Sequence, residues 1–270
     1  MQSFSNSPVR SVSKSSFQTE LSLMALINIT LQGKGGVGKS FVNTLLLQYY
    51  LQRGVPVQGF DTDPVNQTLA GFEKLPVKIT KLADRDDEVN PRYFDTLIED
   101  LVALPKDGVA VIDNGSSSFL PLLSYLVESQ VLEMLTDAGH SVRLQSVITG
   151  GQPMMDTITG LDRVLRSIPD IPAIVWLNPY SGQIEHRDPG SAPKGFEDFK
   201  IYKNHKDRIY SLIQIPPVRQ STFGEDIKAM MAARLTFDEA IASETFNIMA
   251  RQRLKTTWGT LFNIMEEAML

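Results

Sequence analysis

Residues 33–40 read Gly-Lys-Gly-Gly-Val-Gly-Lys-Ser, which fits the spacing G-x-x-x-x-G-K-S/T. Such a run serves to hold a polyphosphate. Several negative charges in a small volume can be surrounded by backbone N–H groups only where no side chains intervene. Gly33, Gly35, Gly36 and Gly38 remove those side chains and permit positive φ. Lys39 can then reach the outer phosphates, and the Ser40 hydroxyl can ligate Mg²⁺. A helix starting here adds its positive N-terminal end. The expected nucleotide-binding set is Gly33, Gly35, Gly36, Val37, Gly38, Lys39, Ser40 and Phe41. A second lysine, Lys34, follows the first glycine and is not demanded by the spacing.

Triphosphate hydrolysis also needs a metal and a held water. Asp113 ends the apolar run Val109-Ala110-Val111-Ile112, where its carboxylate would contact Mg²⁺ directly or through water. Asp61 and Asp63 stand one residue apart, before Pro64. In extended geometry they point in different directions, so one can face the metal shell and the other the attacking water. The competing reading is turn chemistry, since Asp-Pro favours turns. A guanine-reading N/T-K-x-D tetrad is approached only by Thr80-Lys81-Leu82-Ala83-Asp84, one residue too long and after the wrong strand, so ATP is expected over GTP.

These residues need elements to position them. Leu26 to Leu31 is an apolar, β-branched run that enters the glycine loop. Ser40 to Gln52 has apolar residues at 41, 42, 45, 46, 49 and 50, a helical rhythm. Val55–Phe60, Val77–Ile79, Val109–Ile112, Val142–Thr149, Ala173–Leu177 and Ile209–Ile215 read as strands. Tyr93–Leu104, Phe119–Leu135 and Pro153–Ser167 read as helices, and everything beyond the last strand reads as helical. Asp84 to Glu88 reads as a solvated charged loop, and 181–207 as a surface excursion. Strands alternating with helices predict an α/β fold, with a mainly parallel sheet covered on both faces. In such sheets ligands bind at the strands' C-terminal edge. The glycine loop, Asp61, Asp63, Asp113, Asn178, Pro216 and Pro217 all fall at strand C-termini, so they can converge in one crevice.

The bulk numbers narrow the classes. The chain has 270 residues and a net charge of −5, which does not suggest a constitutive nucleic-acid binder. There is no cysteine, so no disulfide, thiolate zinc site or thiolate-held iron–sulfur cluster can form. His140, His186 and His205 have no metal-ligand spacing and read as surface or loop histidines. No apolar run approaches a membrane span. Residues 1–23 carry eight serines and only three charges, and read as a disordered extension before one domain over 24–270. The expected setting is the cytoplasm.

The sequence resembles the ParA/MinD family of partition and positioning ATPases. The likeness rests on Lys34 to Ser40, on Asp61-Thr62-Asp63-Pro64, on Val111-Ile112-Asp113-Asn114-Gly115, on Asn178 and on Ile215-Pro216. It implies a P-loop fold and an ATPase that dimerises around ATP and Mg²⁺. It also implies that Lys34 crosses the dimer interface to the partner's ATP and that Lys39 holds phosphate. Asp63 would position the hydrolytic water, and Asp61 and Asp113 would serve the metal with Ser40. Asn178 would read the adenine edge, and Pro216 would line the base pocket. Further segments resemble a plasmid conjugal-transfer and stability group within that family, among them Trp176 to Tyr180, Arg234 to Asp238 and Arg251 to Lys255. That likeness spans 26–270 and implies a plasmid-encoded bacterial protein with a transfer or segregation partner. One departure is Pro64-Val65-Asn66, where the family usually continues Pro-Gln-Gly.

At the C-terminus, Leu254, Trp258, Leu261, Met265 and Met269 follow helical spacing after Arg251, Arg253 and Lys255. A core-packing final helix is the first reading. A nonspecific DNA patch and, less favoured, a membrane-surface helix compete with it. A metabolic enzyme activating a carboxylate with ATP is the alternative function, but no second catalytic constellation accompanies the loop.

Overall fold

The computed structural model describes residues 25–81, 90–187, 189–268 and 270. The serine-rich stretch 1–23, the charged segment Asp84 to Glu88 and Met269 lie outside the described residues. Seven strands form one parallel sheet: β1 (Leu26–Thr30), β2 (Val57–Asp61), β3 (Val77–Ile79), β4 (Val109–Asp113), β5 (Ser141–Thr149), β6 (Ala173–Asn178) and, after a short antiparallel hairpin of β7 (Glu185–His186) and β8 (Lys194–Gly195), β9 (Ile209–Gln214). Their order is β3-β2-β4-β1-β5-β6-β9. The central strand β1 pairs with β4 on one side and β5 on the other. The chain thus crosses to one side of β1 early and to the other side later, which opens a crevice at the C-terminal end of β1.

The strands are apolar along their whole length because both faces are covered. Alternate residues enter two cores. Ile27, Ile29, Ala110, Ile112, Leu144 and Val175 pack against α2 (Tyr93–Val102), α3 (Phe119–Glu128), α4 (Val131–Asp137) and α5 (Met154–Ser167). Leu26, Val109, Val111, Val147, Ile174 and Trp176 face α1 (Lys39–Gln52), α7 (Glu225–Ala232), α8 (Phe237–Ala242) and α9 (Ile248–Glu267). Helix α1 is buried along most of its length, including its polar Asn43, Thr44 and Gln48: Asn43 meets Thr30 and Asp113 at the sheet, and Gln48 accepts the Phe237 N–H at the start of α8.

Three details depart from the sequence expectation. The helix expected over Phe119–Leu135 is two helices. Gln130 between them has φ 50°, and the buried stripe jumps from Leu126 to Val131. Five residues overshoot one helical turn, and the left-handed residue restores the phase. The excursion 181–207 lies at the surface along most of its length, as expected, but it is anchored: Phe196 and Ile201, the latter in α6 (Lys200–His205), are buried in the first core. His140, expected on a surface or loop, is buried just before β5.

The final helix packs as core. Leu254, Trp258, Leu261 and Met265 are buried. Trp258 stacks on Phe237 with ring centroids 5.1 Å apart and donates its indole N–H to Gln52 Oε1 at 2.9 Å. Thr236 and Glu239 form a capping box that starts α8, and the Asn247 side chain caps α9. Of the three nearby cations, Arg253 is held by Asp226 at 2.5 and 3.1 Å. Among the described residues no helix is long and apolar enough to cross a membrane. Trp258→Ala should therefore cost about 3–5 kcal/mol of stability, as large core truncations do. Thermal unfolding checks it; a Tm within a degree or two of wild type would mean that α9 does not belong to the core.

Candidate functional site

The glycine run turns between the end of β1 and the start of α1. Gly36 and Gly38 have φ 74° and 103°, which non-glycine residues rarely adopt. At Gly38 a Cβ would also lie 2.6 Å from Asn178 Nδ2, and at Gly33 one would lie 2.7 Å from the Phe119 ring. Beside Gly36 there is nothing within 4 Å, so that part of the loop faces open space. Lys39 lies inside, only 8% exposed, and its Nζ donates to the Lys34 carbonyl at 2.9 Å. Burial pushes its amine below the ordinary lysine range, and the charges of Asp113 and Asp63 pull partly back.

Asp113 and Asp61 end adjacent strands in register. Asp113 is buried, and burial pushes its carboxyl up to about 7. A hydrogen bond from Ser40 opposes this, the neighbouring Asp61 charge adds to it, and the Asn43 amide, donating to Oδ1 at 2.8 Å, opposes it again. Asn43 is in turn fixed by Thr30, whose hydroxyl donates to its Oδ1 at 2.6 Å. Burial likewise raises Asp61. Its two oxygens accept the backbone N–H groups of Asp63 (3.1 Å) and Ala70 (2.9 Å). Asp61 therefore ties the two ends of the loop 62–70 together, beside Asp113 on the neighbouring strand. Asp63 accepts from the N–H groups of Val65 and Asn66, both at 2.9 Å, and lies so near Gly115 that a Cβ there would meet its carboxyl carbon at 2.6 Å. The turn chemistry of Asp-Pro and the placement of Asp63 at the cleft are thus both present.

Two cavities share this mouth. One, of about 360 Å³, is lined by Gly35, Gly36, Gly38, Lys39, Ser40, Phe41, Asp63, Asn66, Thr68, Asn114, Ser116 and Met231. The other, of about 680 Å³ and mostly apolar, contains Asn178 and Pro216 with Ile215, Phe223, Ile227, Met231 and one face of α9. Gly36, Gly38, Phe41 and Met231 border both. A polar cradle opening into an apolar slot suits a phosphate chain joined to a flat base. The residues fit an anion: a buried lysine amine held by a lone carbonyl, and a buried Asn114 Nδ2 without a partner among the described residues. They also fit a cation completed by phosphate oxygens. No cluster of three or more His, Asp or Glu among the described residues could hold a metal alone, whereas Mg²⁺ in such sites takes one or two protein oxygens plus the nucleotide.

Asn178 is partly committed. Its Nδ2 donates to the Val37 carbonyl at 3.0 Å, and its Oδ1 accepts the Tyr180 N–H at 3.2 Å, tying the base side to the glycine loop. Lys34 points the other way, with Nζ 2.8 Å from Asp156 Oδ2 near the start of α5, both side chains exposed. Behind it, Gln32 donates to the carbonyls of Val147 and Thr157 at 3.1 and 3.0 Å and accepts the Lys34 N–H at 3.3 Å, which fixes the loop to α5. Sequence reasoning missed Gln32, Asn43, Asn114 and Asp156. Asn43 had a signal: it is a polar residue four positions after Lys39 on a helix otherwise rich in apolar residues.

Residues 29–239 match the CobQ/CobB/MinD/ParA nucleotide binding domain family. The chain belongs to that family. Two Escherichia coli proteins, each called protein TraL, are 45% and 43% identical to it over 246 residues, covering 91% of this chain and 99% of each relative. The MinD cell division protein of Aquifex aeolicus aligns in structure with 16% identity and a TM-score of 0.48, covering 88% of this chain and 96% of MinD. A nucleotide-binding protein from Archaeoglobus fulgidus, solved in complex with ADP, aligns with 15% identity and a TM-score of 0.44, covering 83% and 93%.

The elevated Asp113 carboxyl has a consequence for stability. The folded chain keeps this proton between the ordinary carboxylate range and about pH 7, where the unfolded chain has lost it. The folded state binds more protons there, so this group's contribution falls as pH rises through that window. In chelator, Asp113→Asn should flatten the decline of stability between pH 5 and 7.5 by up to about 2.5 kcal/mol. Denaturant unfolding at several pH values checks it, and parallel curves for the two proteins would refute the assigned shift.

Proposed function

We propose that the chain is an ATP-binding and ATP-hydrolysing switch that dimerises with nucleotide bound and acts in plasmid transfer or maintenance. The observation that carries this reading is the division of labour between two lysines of one loop. Lys39 is buried in the phosphate cradle, so it serves the nucleotide of its own chain. Lys34 stands outside with its amine on an exposed carboxylate, where a second molecule could take it up. The extensive identity with the two TraL proteins supports a plasmid-transfer setting.

In this reading the phosphates lie against Gly33 to Ser40, and Lys39 exchanges the Lys34 carbonyl for a phosphate oxygen. The adenine enters the apolar slot between Phe41, Asn178 and Pro216. A magnesium ion, when bound, would neutralise charge developing on the phosphates, with Ser40 and Asp113 as its protein partners. Asp63 orients the attacking water, and Asp61 acts by closing the loop on which Asp63 sits. Asn43 and Thr30 hold the Asp113 carboxylate in place. Binding of a transfer or segregation partner, or of nonspecific DNA, would set the timing of turnover. The chain works in the cytoplasm.

The test is the oligomeric state by light scattering with ATP, ADP or no nucleotide. Wild type should dimerise with ATP only. Lys34→Ala should remain monomeric with ATP while its ADP affinity stays within about threefold, since its side chain makes no contact with its own cradle beyond the loop. Asp63→Ala should dimerise yet lose hydrolysis by about 100-fold or more. A wild-type protein that stays monomeric in ATP, or a Lys34→Ala variant that still dimerises, sinks the switch.

A further inference from the structure

Helix α7 ends in a six-residue closing motif. The Leu235 N–H donates to the Met230 carbonyl and the Arg234 N–H to the Met231 carbonyl, both at 3.2 Å. Arg234, the residue that turns the chain, has φ 54°. Glycine is the residue this position favours, because any side chain meets a steric penalty there. An arginine at this place needs a reason, and its guanidinium supplies one. Its Nη1 donates to the Thr68 carbonyl and, at 3.4 Å, to the Gln67 carbonyl. It lies so close over Gly71 that a Cβ there would be 2.8 Å from Nη1. Gln67 and Thr68 belong to the loop 62–70 that carries Asp63, and Thr68 itself lines the phosphate cavity.

The same helix end bears on the nucleotide. Met231 borders both cavities, and Phe223 and Ile227, just before it, line the apolar one. We infer that Arg234 is a positioning residue that fastens the Asp63 loop to the wall of the base pocket, so that occupation of the pocket sets the hydrolytic loop. The inference rests on the proposed ATPase reading of this site. Asp61 closes the loop from the sheet side through Ala70, and Arg234 holds it from the opposite side. Of the two clamps, Arg234 is the one attached to an element that the base touches.

Arg234→Gly separates positioning from structure. It removes the guanidinium and relieves the left-handed backbone, so Tm should hold or rise. The turnover number for ATP should fall about tenfold or more with KM changed less than about threefold, as expected when a reacting group is misplaced. Gly71→Ala, which pushes the guanidinium away from the other side, should give the same loss. The double variant should be no worse than either single one, because both break one contact. A wild-type turnover number in Arg234→Gly, additive losses, or a Tm that falls with the rate would overturn the inference. Hydrogen exchange of the nucleotide-free protein gives an arm that needs no activity: amides of Val65, Asn66 and Ala70 should exchange faster in Arg234→Gly, and unchanged exchange also overturns it. Wild type that hydrolyses no ATP would instead defeat the proposed function and leave the exchange arm to decide the role of Arg234.

Discussion

The structure is organised around keeping three charges, Lys39, Asp61 and Asp113, almost out of water at one edge of a parallel sheet. Ionised groups taken from water cost several kcal/mol each unless they are paired and hydrogen-bonded. Each has a different local solution. Asp61 takes two backbone N–H groups. Asp113 takes Asn43, itself held by Thr30, and still sits high, at about 7. Lys39 has a lone carbonyl from its own loop and is held below its ordinary range. The compensation is thus least complete for the two groups that a metal–phosphate ligand would complete. A site fully satisfied on its own would have less to gain from that ligand.

That arrangement dictates much of the surrounding fold. The two acids are neighbours because β2 and β4 pair in register, and Thr30 reaches Asn43 because β1 feeds directly into the loop and α1. The glycines are needed for close approach as much as for conformation. Gly38 admits Asn178, and Gly115 admits Asp63. Helix α1 is buried over most of its surface, and the C-terminal helices contribute to that cover while also forming the far wall of the apolar cavity. The C-terminal third is therefore part of the site.

The fold class and the cradle were legible in the sequence because both depend on local rules. The glycine spacing, the apolar strands and the residues that end them required no knowledge of distant contacts, whereas the order of the strands was left open. What was not legible depends on packing across the chain. Nothing near Gln130 announces a left-handed residue; only the mismatch of two buried stripes against α2 and α5 demands it. Gln32 looks like a loop residue until α5 supplies the carbonyl of Thr157. Arg234 looks like an exposed cation until the folded chain brings Gln67 and Thr68 beneath it. Residues with several possible partners are the ones a sequence leaves open, and here those partners lie more than 100 positions away.

The contrast between Lys34 and Lys39 can be argued from magnitudes. An exposed ion pair such as Lys34 with Asp156 is worth about 0–1 kcal/mol, because water already solvates both ends and the long side chain loses entropy in holding one geometry. Its release is correspondingly cheap and fast. A lysine that must change partners during a cycle should rest in such a contact, since a strong one would have to be broken each time. Lys39 is in the opposite position. Burial makes its charge costly, so it gains from any anion that enters and loses when the anion leaves. Binding energy from Lys39 can hold the nucleotide in one chain, while Lys34 stays nearly free of commitment. The two lysines stand five positions apart in the chain, and their difference in solvent exposure is what fits them to the separate tasks proposed above.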